Sequence, residues 1–69
     1  MDYDRAVRLR ELWNGNFNLN LLVGQRSRYS YSLSGTKNDT PPTKLAILGR
    51  LANHLNLKLE IDGNRFTIV

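Results

Sequence analysis

The segment L-K-L-E-I-D-G-N-R-F-T-I-V, residues 57–69, constrains the chain most. Leu57, Leu59 and Ile61 alternate with Lys58 and Glu60, and Phe66 and Ile68 alternate with Arg65 and Thr67. A period of two is that of a strand with one buried face. A turn on Gly63-Asn64 sets Ile61 opposite Phe66, Leu59 opposite Ile68 and Asp62 opposite Arg65, all favourable cross-strand pairs. Such a hairpin has an apolar face that other elements must cover.

Two stretches have the pattern to cover it. In D-Y-D-R-A-V-R-L-R-E-L-W, residues 2–13, Tyr3, Ala6, Val7, Leu9, Leu12 and Trp13 fall on one broad arc at helical spacing. Asp2 and Asp4 suit the positive end of a helix dipole, and Asn14-Gly15 suits its end. The second helix is expected to start with Thr40 as N-cap and Pro41 at the first helical position. Its stripe is Leu45, Leu48, Leu51, Ala52 and Leu55, and Asn56 is its left-handed stop.

Between the helices, Phe17, Leu19, Leu21 and Val23 alternate with Asn16, Asn18 and Asn20. Tyr29, Tyr31 and Leu33 alternate with Arg28, Ser30, Ser32 and Ser34. The pattern predicts a second hairpin around Gly24-Gln25-Arg26, with a loop of three or five residues so that both apolar sets share a face. The order is then α-β-β-α-β-β over residues 1–69, one small α+β domain. Its architecture is two-layered: a four-stranded antiparallel sheet with two helices on one face. The expected core on the sheet is Phe17, Leu19, Leu21, Tyr29, Tyr31, Leu33, Leu59, Ile61, Phe66 and Ile68. A faint echo relates the halves: N-F-N-L-N-L-L-V-G then R-Y-S-Y-S-L has the layout of L-N-L-K-L-E-I-D-G then R-F-T-I-V.

Size and charge narrow the function. A chain of 69 residues buries only about 60% of its unfolded surface, so its stability is marginal. It has no cysteine and one histidine, His54, which removes disulfides and argues against zinc or any other metal site. Good local structure, oligomerisation or a bound partner remains to support the fold. The charged start reads as no signal peptide, and no apolar run approaches the roughly 20 residues of a membrane span. A soluble, cytoplasmic protein is expected. Ten Lys and Arg against six Asp and Glu give a net charge of +4, which favours nucleic acid or an acidic protein surface as partner.

No paired carboxylates, nucleophile elbow or phosphate-binding glycine loop is present, so no enzyme activity and no cofactor are expected. His54 reads as a surface side chain near a helix end. Tyr29 and Tyr31 read as core residues whose hydroxyls reach the edge. Stacking on single-stranded nucleic acid needs exposure beside cations, and the alternation places the cations on the opposite face. That opposite face therefore carries the candidate nucleic-acid site: Asn18, Asn20, Arg26, Arg28, Ser30, Lys58 and Arg65. Asn and Ser can donate to phosphates and base edges, and Arg26 and Arg28 in the 24–28 loop can clamp a backbone. The alternatives are a protein-interaction module, such as a small phage- or plasmid-type regulator docking an acidic partner, whose edge strands can pair with a partner or a second copy, or a homodimeric structural subunit whose basic charge is incidental.

Residues 48–61, L-G-R-L-A-N-H-L-N-L-K-L-E-I, resemble the closing part of the helix-turn-helix domains of some small antitoxins and phage repressors. There, a helix of this pattern runs into a strand of alternating leucine and charge. The likeness covers 14 of 69 residues. Residues 16–35 read as strands in place of a recognition helix, so no functional residue carries over.

Overall fold

The first helix is set by its ends. The computed structural model describes residues 1–69 and places α1 at Tyr3–Phe17. The Asp2 carboxylate accepts a 2.7 Å hydrogen bond from the Arg5 N–H, satisfying one of the orphan donors of the first turn. Asn14-Gly15 does not end the helix as expected. Asn18 does, at φ 53° and ψ 51°, and Leu19 N–H bonds back to the Asn14 carbonyl. Asn14 has another task. Its amide Nδ2 donates to the Leu21 carbonyl at 3.1 Å, and its Oδ1 accepts from the Leu21 N–H at 2.9 Å. One side chain thus satisfies both backbone groups of Leu21, as a neighbouring strand would.

The second helix, α2, spans Pro42–His54. It begins one residue later than expected. Pro41 holds the N-cap position and no side chain caps the end, while Thr40 is buried before it. Two successive prolines carry no N–H, so fewer donors need a cap. The C-terminus follows expectation. Asn56 is left-handed at φ 59°, Leu57 N–H reaches the Ala52 carbonyl at 2.8 Å and Asn56 N–H reaches Asn53 at 3.2 Å, the paired bonds of a Schellman motif. Arg5 Nη2 from α1 donates to the Leu55 carbonyl at 3.3 Å, a cation at the negative end of α2. Both helices therefore end on the asparagine of an N-L-x-L run, residues 18–21 and 56–59.

Four strands follow from the alternation: β1 Leu22–Ser27, β2 Ser30–Thr36, β3 Leu59–Asp62 and β4 Arg65–Ile68. They form one antiparallel sheet in the order β1-β2-β4-β3. The β3–β4 hairpin has the expected register, with Leu59 opposite Ile68, Ile61 opposite Phe66 and Asp62 opposite Arg65. Its turn takes positive φ at Gly63, as glycine at the first central position of a type II′ turn does. The β1–β2 hairpin departs from expectation. Residues 16–17 are helix, β1 starts at Leu22, and Gly24 lies inside the strand opposite Ser32. The chain reverses at Arg28-Tyr29, between Ser27 and Ser30. The predicted faces nonetheless hold before the strand begins: Leu19 and Leu21 are buried, while Asn18 and Asn20 are exposed.

Exchanging the two α-β-β units maps the strand order onto itself, with the antiparallel β2–β4 pair at the centre. There Leu33 faces Ile68 and Gly35 faces Phe66. These residues pack with Ala6, Trp13, Leu19, Leu21, Leu48 and Ala52, and Phe66, Leu33, Leu48 and Ile68 are fully buried. α1 meets β1 and β2, and α2 meets β3. Five expected core residues move outward, with Phe17, at the end of α1, and Leu59 half-buried. Tyr29 sits in the turn, and Ile61 lies on edge strand β3 beside the second turn. Tyr31 is half-buried, edge-on to the half-exposed Tyr3 with centroids 5.2 Å apart. Leu12, on the flank of α1, is exposed as well.

Phe66 and Gly35 are matched in shape. A Cβ on Gly35 would lie 2.6 Å from Phe66 Cζ, and the buried ring has nowhere to retreat. Gly35→Ala is expected to lower unfolding free energy by about 1–3 kcal/mol, the usual effect of overpacking. Gly15→Ala, in an exposed helix position with nothing near its Cβ, is expected to raise it by about 0.5–1 kcal/mol. Asn14→Ala leaves both Leu21 groups unpaired and is expected to lower it by about 1–3 kcal/mol. Urea denaturation of the three variants measures all of these.

Candidate nucleic-acid interface

The β1–β2 hairpin collects cations because its surroundings in sequence lack acids. No Asp or Glu occurs between Glu11 and Asp39. Arg26 lies where the β1–β2 register shifts, between Gln25 and Ser27, so a bulge re-aims the strand just before the turn. Arg28 and Tyr29 form the turn itself, and neither has positive φ. Turns of that class splay the flanking strands, and the added twist of a bulge offsets this. Gln25 Nε2 donates to the Arg28 carbonyl at 3.5 Å, a long bond that closes the turn from within.

At the tip, Tyr29 is 81% exposed, and the Arg28 guanidinium carbon is 5.7 Å from its ring centroid, within cation–π range. Arg26, Ser27 and Arg28 are exposed, and Ser30 is half-buried. Of the acids, Asp2 and Asp4, before and within the first turn of α1, belong to the same end of the fold, since Met1 exchanges backbone hydrogen bonds with Tyr31. Asp4 is exposed and Asp2 starts the helix, its carboxylate occupied as the α1 cap.

The rest of the expected site is spread out. Reading across the outer face, one row is Gly24, Ser32, Val69 and Lys58, the next Leu22, Ser34, Thr67 and Glu60, and the third Thr36, Arg65 and Asp62. Lys58 lies at the far edge from β1, about 14 Å away at three strand spacings. Arg65 lies at the opposite end from the tip, about 20 Å along the sheet from Ser30, directly across from Asp62. Asn18 forms the left-handed end of α1, and Asn20 is exposed between α1 and β1, beyond Leu22 and away from the tip. The fold therefore brings Arg26, Arg28 and Ser30 together and leaves Asn18, Asn20, Lys58 and Arg65 apart.

Tyr29 is the residue that sequence reasoning missed at this place. The available signal was S-R-Y-S, a pair of serines bracketing two long side chains, which sets Ser27 opposite Ser30. No group of three or more His, Asp or Glu side chains gathers anywhere, and no helix is long and apolar enough to cross a membrane.

Comparison with protein-family models, with curated proteins and with solved structures returned no match.

Proposed function

We propose that this protein binds nucleic acid without catalysis, as a small regulatory protein, and does so through the tip of the β1–β2 hairpin. The observation that carries the reading is the pairing of exposed Arg26 and Arg28 on a projecting turn, within a stretch free of carboxylates from Glu11 to Asp39. Guanidinium groups there can reach two phosphates of one strand, while Ser27 and Ser30 offer hydroxyl donors beside them. The net charge of +4 favours encounter with a polyanion. The neutralised β3–β4 half, where Asp62 faces Arg65, plays no part. A cytoplasmic location belongs to the same reading.

A second reading has one observation in its favour. Leu22 is 65% exposed on the outer face of β1, an edge strand with an unpaired side. Open edges accept another strand, so a second copy or an acidic protein is the alternative partner. Light scattering on a chain of 7.9 kDa separates monomer from dimer.

Fluorescence anisotropy with labelled DNA and RNA at about 50 mM and 200 mM salt tests the first reading. Affinity is expected to fall steeply with salt, and Arg26→Ala and Arg28→Ala are each expected to reduce the log–log salt slope by about 1. Absence of binding to any DNA or RNA at the lower salt rejects it.

A further inference from the structure

The two hairpins of this chain occupy equivalent places in a near-symmetric fold, and their turns differ in kind. The β3–β4 turn is built for structure. Gly63 takes the positive φ that the turn needs, and Asn64 is engaged by the neighbouring loop: its carbonyl accepts from the Lys37 N–H at 2.7 Å and its Oδ1 from the Asn38 N–H at 3.2 Å. The β1–β2 turn has neither feature. It places Arg and Tyr where a two-residue hairpin favours glycine or asparagine, without positive φ and with a bulge beside it. Local choices that break turn chemistry concentrate at working positions.

Tyr29 is also unlike the other exposed apolar side chains. At 81% it is the most exposed of them; Leu22, Tyr3, Leu12 and Ile61 are between 54% and 65% and lie along helices or strands. It alone stands on a projecting tip, with the Arg28 guanidinium near its ring. Burial cannot be the reason for an aromatic ring there. What a free ring beside cations recognises is the face of another flat ring next to negative charge.

We infer that Tyr29 is a stacking platform for an unpaired base, so that the preferred ligand is single-stranded nucleic acid and not duplex. This rests on the nucleic-acid reading above. In a duplex both faces of every base are already stacked on neighbours, so the ring could be used only after a base pair opened. A single strand offers base faces freely, and every base has one, so stacking is tolerant of sequence. With the Arg28 guanidinium over one face of the ring, the base takes the other face, and Arg26, one bulge away, is placed for the adjoining phosphates.

Labelled single-stranded oligothymidine and a duplex of equal length, titrated by anisotropy at one low salt concentration, test this. The wild type is expected to bind the single strand more tightly. Tyr29→Ala is expected to weaken single-strand binding roughly 5- to 100-fold and duplex binding less than about twofold, while Tyr29→Phe retains single-strand binding. Urea midpoints unchanged from wild type confirm that both variants stay folded. Unchanged single-strand affinity in Tyr29→Ala, or equal weakening on both ligands, overturns the platform while leaving arginine–phosphate binding intact. Failure of the wild type to bind either ligand removes both proposals.

Discussion

The ring of Phe66 lying over Gly35 is the contact on which the rest of the fold depends. It sits in the central β2–β4 pair, where the two α-β-β halves meet. Because residue 35 has no Cβ, a fully buried aromatic ring fills the space above it at a distance no alanine would allow. That fit joins a hairpin from each half and gives both helices one surface to cover. Trp13 and Ala6 from α1 and Leu48 and Ala52 from α2 belong to the same buried cluster as Phe66. In a chain this short, where burial is limited, one such shape match at the seam has a large share in uniqueness as well as stability.

The halves repeat a local device and then diverge. Each helix ends on a left-handed asparagine followed by Leu-x-Leu, which stops the helix and turns two leucines inward. In each case hydrogen bonds hold the exit: Asn14, from within α1, on Leu21 in the first half, and the paired backbone bonds after α2 in the second. The hairpins that follow differ in length, with β1 and β2 at six and seven residues and β3 and β4 at four each. The longer hairpin carries its turn beyond the part of the sheet paired with the other half. This is why one tip is held by Asn64 against the 37–38 segment and the other projects with Arg28 and Tyr29.

That difference in length also explains what the linear pattern misjudged. The echo between halves sets Gly24 beside Gly63, and a glycine after an alternating run suggests a turn. Gly24 instead lies opposite Ser32 within the ladder, where a Cβ would meet the Ser32 hydroxyl at an ordinary 3.7 Å, so neither a turn nor a close approach calls for glycine there. Alternation decides which face a side chain takes but not its offset along the neighbouring strand, since a slip of two residues leaves every face unchanged. The error in register moved Tyr29 from core to tip, and with it the balance of the candidate site from the sheet face to the hairpin end.

Legible in the chain alone are the α-β-β-α-β-β order, the inward set Leu19, Leu21, Leu33, Leu48, Phe66 and Ile68, the left-handed stop at Asn56 and the full register of β3–β4. Each of these follows from residues within a few positions of one another. The β1–β2 register, the end of α1 and the exposure of Tyr29 beside Arg28 at the tip come from the folded arrangement. Those depend on partners distant in the chain: Leu33 opposite Ile68, Gly35 opposite Phe66, and Met1 on Tyr31. A short-range pattern carries period and handedness, whereas an offset between strands is set by whichever long-range pairing packs the core without a void or a clash.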